Sequence, residues 1–73
     1  MDQKIEVGDE VIIVGQNGRF VVLALKGGFA VLQLFGNNGS GKRIYWKATQ
    51  EAPTTSLGLL GKNHKRPQNA LYI

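Results

Sequence analysis

The sequence predicts a small all-β domain, an antiparallel meander of four or five strands curled into a barrel. Three observations carry that prediction. Two short apolar runs, residues 20–25 and 29–35, are dense in β-branched and aromatic side chains, which fit a pleated surface and lose rotamer freedom in a helix. Gly27-Gly28 stands directly between them and supplies the positive φ angles of a tight hairpin. Residues 42–49 alternate cleanly, with Ile44, Trp46 and Ala48 on one face and Arg43, Tyr45 and Lys47 on the other. In a chain this short, such a meander closes on itself to protect its edges.

Each element follows from its residues. Gly8-Asp9 is a turn signal ahead of the first strand, residues 10–14. Asn17-Gly18 marks a hairpin into the second strand, residues 19–25. The third strand covers residues 29–35, and with the second is so continuously apolar that both faces should be covered over part of its length. Residues 36–41 make a flexible polar loop, and residues 42–49 the fourth strand. In that strand Trp46 belongs to the core, and Arg43, Tyr45 and Lys47 form an outward basic–aromatic–basic row. Thr55 or Ser56 would cap a single helical turn over residues 57–60, ended by Gly61. Leu71-Tyr72-Ile73 reads as a last short strand or a docking tail.

The 73 residues make one domain, divided into a barrel core over residues 1–50 and a basic tail over 51–73. Pro53, Gly58, Gly61 and Pro67 interrupt that tail, which is expected to be partly mobile, so that a chain cut after Ala52 would stay folded. The rival reading has Leu71–Ile73 pair with the first strand and close the barrel. There is no cysteine and a single histidine, His64, so neither a disulfide nor a thiolate metal site is open to the chain. No cofactor is expected. No secretory signal and no apolar run of membrane-spanning length is visible, and the expected setting is the cytoplasm, without membrane contact, as a monomer.

Charge is unevenly placed. The net charge is +4, yet residues 1–10 hold Asp2, Glu6, Asp9 and Glu10 against Lys4, while beyond residue 10 eight basic residues face Glu51 alone. A basic body attracts phosphate or an acidic protein surface, although net charge also serves solubility. The candidate partner-binding residues are the row Arg43, Tyr45 and Lys47 and the tail residues Lys62, His64, Lys65 and Arg66. Tyr45 between two cations suits single-stranded nucleic acid, where stacking is worth about 1–3 kcal/mol per base; as an exposed row it would equally deter edge aggregation. Residues 36–42 match the glycine and lysine spacing of a phosphate-binding loop, but Arg43 stands where a magnesium-holding hydroxyl is needed and a strand follows instead of a helix. No Ser–His–Asp set can be built, so the chain reads as a non-enzymatic module.

The succession Val7-Gly8-Asp9-Glu10-Val11, a hairpin, then Gly27-Gly28-Phe29-Ala30-Val31 resembles the SH3-like barrels, most of all the KOW and Tudor types of transcription and translation factors. The resemblance spans roughly residues 5–50 and implies a fold more than an activity. In size and charge the chain is also similar to small phage proteins that bind host RNA polymerase. Both resemblances imply a transcription regulator or adaptor whose partner is RNA polymerase or an associated factor, with nucleic acid as the alternative. Arg43-Ile44-Tyr45 further resembles the Gln-Ile-Tyr segment of the plasmid-borne dihydrofolate reductases, which assemble short SH3-like barrels around a pore and imply an oligomeric reductase as a lower alternative.

Overall fold

The computed structural model describes residues 4–73. It is all-β, as the sequence predicts: β1 (Glu10–Ile13), β2 (Arg19–Lys26), β3 (Phe29–Asn37), β4 (Arg43–Pro53), β5 (Leu57–Gly61) and β6 (Leu71–Tyr72), with one 3-10 turn over Thr54–Ser56. The six strands form a single sheet in the order β5-β1-β2-β3-β4-β6. The β2–β3 hairpin turns on Gly27 and Gly28, at φ 51° and 87°, angles that side chains larger than hydrogen resist. It is the centre of the sheet. A bulge at Val22–Ala24 and another opposite Gln33–Phe35 bend the strands and let the sheet curl.

Alternation along the strands sorts side chains onto two faces. The inner face holds Val11, Ile13, Phe20, Val22, Ala30, Leu32 and Ala52, with Leu57 and Leu59 of β5 packed against them. The outer face holds a second cluster, Val21, Phe35 and Tyr45, with Leu23 and Ala70 beside it. The double coverage expected of the hairpin is therefore present, and what covers the outer face is the end of the chain.

Three sequence expectations need correction. The sheet is not a pure meander: β5 returns to pair antiparallel with β1, and β6 lies parallel to β4. Residues 57–60 form strand rather than a helical turn. Gly58, a poor helix residue, sits opposite Ile12, where a Cβ would come within 3.0 Å of Ile12 Cγ1; the glycine makes room for a neighbour's side chain. Finally, β4 has the predicted alternation but the opposite burial. Tyr45 is fully buried while Trp46 is only half-buried, because the outer face is roofed and the inner face is open beside Trp46.

Residues 51–73 thus supply two strands and the outer cover. Leu71–Ile73 does pair with the body, but on β4 instead of β1, through Ile44–Leu71 and Tyr45–Tyr72 and main-chain bonds from Ile73 to Tyr45 and from Lys47 to Ile73. A chain ending at Ala52 would lose β5, one of the two strands paired with β1, and expose Val21, Phe35 and Tyr45 together. Its circular dichroism melt is expected to lose the cooperative transition, since a domain of this size has only about 5–15 kcal/mol in total. A retained sharp melt would show that the first four strands fold alone.

Candidate functional site

Three residues of the basic segment expected to reach for a partner, Lys62, His64 and Arg66, have partners within the fold. Asp9, 1% exposed, sits in the turn before β1, where its carboxylate accepts the Glu6 N–H at 2.9 Å and the Lys62 ammonium at 2.8 Å. Lys62 also reaches Glu6 Oε1 at 3.0 Å and the Lys4 carbonyl at 3.3 Å. Burial alone would raise the Asp9 pKa, but the hydrogen bond from Lys62, reinforced by backbone N–H donors and by the charge of Lys62, holds it below the ordinary value. The Lys62 pKa is correspondingly raised by its bonds to Asp9 and Glu6.

Two residues on, the backbone N–H of His64 donates to the Gly8 carbonyl at 2.7 Å. The imidazole, with 2% of its side chain exposed, lies against the Phe35 ring at 4.7 Å between centroids. Its Nδ1 is 2.7 Å from Glu10 Oε2 and its Nε2 is 2.6 Å from the Tyr45 hydroxyl. A carboxylate accepts only, so Nδ1 carries the hydrogen, and in the neutral ring Nε2 accepts from Tyr45. Arg66 completes the cover: Nη2 donates to Gln33 Oε1 at 2.6 Å and the guanidinium lies 4.3 Å from the centre of the Tyr45 ring. The Tyr72 ring stacks on Tyr45 at 5.3 Å. No buried side-chain nitrogen or oxygen among the described residues lacks a partner.

The predicted site residues therefore separate. Lys62, His64, Arg66 and Tyr45 come together, as a clamp within the fold. Arg43 is half-buried, over the Phe35 ring at 4.9 Å and bonded to Asn37, so the row Arg43, Tyr45, Lys47 is no open stacking platform. Lys47 and Lys65 are exposed. The loop with phosphate-loop spacing is tied by Asn38, whose Oδ1 accepts from the Ser40 and Lys42 backbone N–H groups and the Ser40 hydroxyl, a turn built on its own side chain. The clamp's receptors, Asp9, Glu10 and Gln33, were missed in the sequence. The acid-rich first ten residues set against a basic 62–66 were a signal for Asp9 and Glu10, whereas nothing in the sequence marked Gln33.

A different surface offers itself at the tip of the β2–β3 hairpin. A cleft of about 620 Å³ opens there, walled by Leu25, Lys26, Phe29, Leu57, Ile5 and Lys4, with Thr54 and Thr55 at its side. Phe29 is 50% exposed and Leu25 41%. Both charges on its wall are positive, and no acid lines it among the described residues. The sequence places Leu25 and Phe29 at the inner ends of the two apolar runs, whose faces are covered over only part of their length. They flank the turn, beyond the reach of the covering tail, and Phe29 is out of phase with Ala30 and Leu32.

No family model, curated protein or solved structure matches the chain. Among the described residues there is no cluster of metal-ligating side chains, and no helix long and apolar enough to cross a membrane.

Two outcomes follow from the clamp. Asp9 has a depressed folded pKa, so its stabilisation is complete above about pH 4, the ordinary aspartate value, and is lost as pH falls through the folded value. Acid titration followed by circular dichroism should show unfolding in that window, and Asp9→Asn should be less stable at neutral pH with a flatter acid limb. Tyr45→Phe leaves His64 Nε2 buried without its partner and is expected to cost about 1–3 kcal/mol in urea unfolding; Tyr45→Ala, which also opens a cavity, about 3–5 kcal/mol.

Proposed function

We propose that this chain is a non-enzymatic binding module of SH3-like, KOW/Tudor type that docks on a protein of the transcription machinery, RNA polymerase or an associated factor. The carrying observation is the hairpin-tip cleft, which half-exposed Leu25 and Phe29 line together with the two cations Lys4 and Lys26. Apolar surface rimmed by one sign of charge suits an acidic protein segment with an apolar anchor. Such a module acts by occupying a surface that an initiation or elongation factor needs.

The fate of the other polar groups supports this reading. The single histidine and Tyr45 are both engaged in the clamp and buried, which favours a binding role over a catalytic one. Tyr45, the ring a stacking base or a reductase pore of the Arg43-Ile44-Tyr45 kind would use, is buried, and this favours the protein partner over both alternatives.

The tagged protein is expected to retain polymerase or an associated factor from its native host at moderate salt. Phe29→Asp should abolish that retention and Lys26→Glu weaken it about tenfold, with the fold unchanged by circular dichroism. Retention unaffected by both changes would move the site elsewhere. Retention of nucleic acid alone, falling steeply with salt, would replace the protein partner.

A further inference from the structure

Among the described residues, one edge of the sheet is uncovered along part of its length. β6 pairs with β4 only at Ile44 and Tyr45, and its last bond is from the Lys47 N–H to the Ile73 carbonyl. Beyond that point β4 continues to Pro53, and among the described residues no strand lies on the far side of residues 48–52. Lys47, Ala48, Thr49, Gln50 and Glu51 are all exposed. An open row of backbone donors and acceptors is a template for another strand.

We propose that the occupant is β4 of a second copy, paired antiparallel about a twofold axis through Thr49. The argument is charge complementarity. Within the exposed stretch of the edge, Lys47 and Glu51 are the two charged residues, and neither is in an ion pair among the described residues. When a strand pairs antiparallel with its own copy, each register is fixed by the residue at its centre. Centring on Thr49 sets Lys47 of each copy opposite Glu51 of the other. It also sets Ala48 opposite Gln50 and Thr49 opposite Thr49, a favourable cross-strand pair. No other antiparallel register brings those two charges face to face.

The side chains agree with the geometry. Lys47, Thr49 and Glu51 share one face by alternation, so both ion pairs flank the central threonines on the same side. Such an interface is isologous and closed, which limits growth to a dimer. Pro53 ends the strand and donates no further backbone bond. On the other face, Trp46, Leu34 and Phe20 border a cleft of about 320 Å³ beside the same edge. Trp46 would face residue 52 of the second copy, and as the sole tryptophan it reports on pairing. The proposal concerns a different surface from the hairpin-tip cleft and stands whether or not that cleft binds a protein.

Sedimentation equilibrium and Trp46 fluorescence over about 1 µM to 1 mM, the range of weak association, provide the test. The wild-type chain is expected to pass from monomer to dimer, with a parallel change in Trp46 emission. Lys47→Glu and Glu51→Lys each turn both ion pairs into repulsions and should weaken the dimer at least about tenfold. The double exchange, Lys47→Glu with Glu51→Lys, restores opposite charges and should return the affinity to near the wild-type value. A wild-type chain monomeric throughout overturns the proposal. So does a dimer that ignores both single changes, or single changes that the double exchange does not rescue.

Discussion

The outer face of the sheet is the constraint on which the rest of this structure depends. A curled sheet of this size has one protected interior, yet β2 and β3 carry Val21, Leu23 and Phe35 outward as well as Phe20, Val22 and Leu32 inward. Left open, that second apolar surface would be a liability. The chain covers it with its own end. Asp9 fixes Lys62, Glu10 and Tyr45 hold the two nitrogens of His64, and Gln33 holds Arg66. Ala70 and Tyr72 then settle on the same cluster.

Polar groups rather than apolar ones do the positioning. Leu71, Tyr72 and Ile73 all remain at least 40% exposed, so apolar burial alone would hold the tail weakly. Hydrogen bonds in a shielded site have direction and high local strength, and a buried carboxylate such as Asp9 is costly without its cation. The segment is thereby committed to one path across the sheet. Its aromatic contacts work in the same sense, since Arg66 and Tyr72 both lie on the ring of Tyr45.

This internal use of charge redirects the functional reading. A basic run is commonly a partner-binding element, but here three of its four basic side chains, Lys62, His64 and Arg66, have internal partners. Two exposed surfaces lie where the tail does not reach. One is the hairpin tip, with Leu25 and Phe29 beside Lys4 and Lys26. The other is the edge of β4 past Lys47, where the parallel strand β6 stops.

The sequence by itself determined the all-β class, the four main strands within a few residues, the glycine hairpin and the double coverage of its strands. Those features are local: side-chain branching, period-two alternation and turn chemistry act over neighbouring residues and leave their mark in composition. It also determined the alternation of β4, though not which face of that strand would be dry. Only the tertiary structure decided that Tyr45 is buried and Trp46 half-open, that residues 57–61 are a strand beside β1, and that Lys62, His64 and Arg66 turn inward. Each of these depends on a contact between residues far apart in the chain, such as Asp9 with Lys62 or Ile12 with Gly58. A short segment with weak local preference takes its conformation from the surface it meets, and that surface exists only once the sheet has formed.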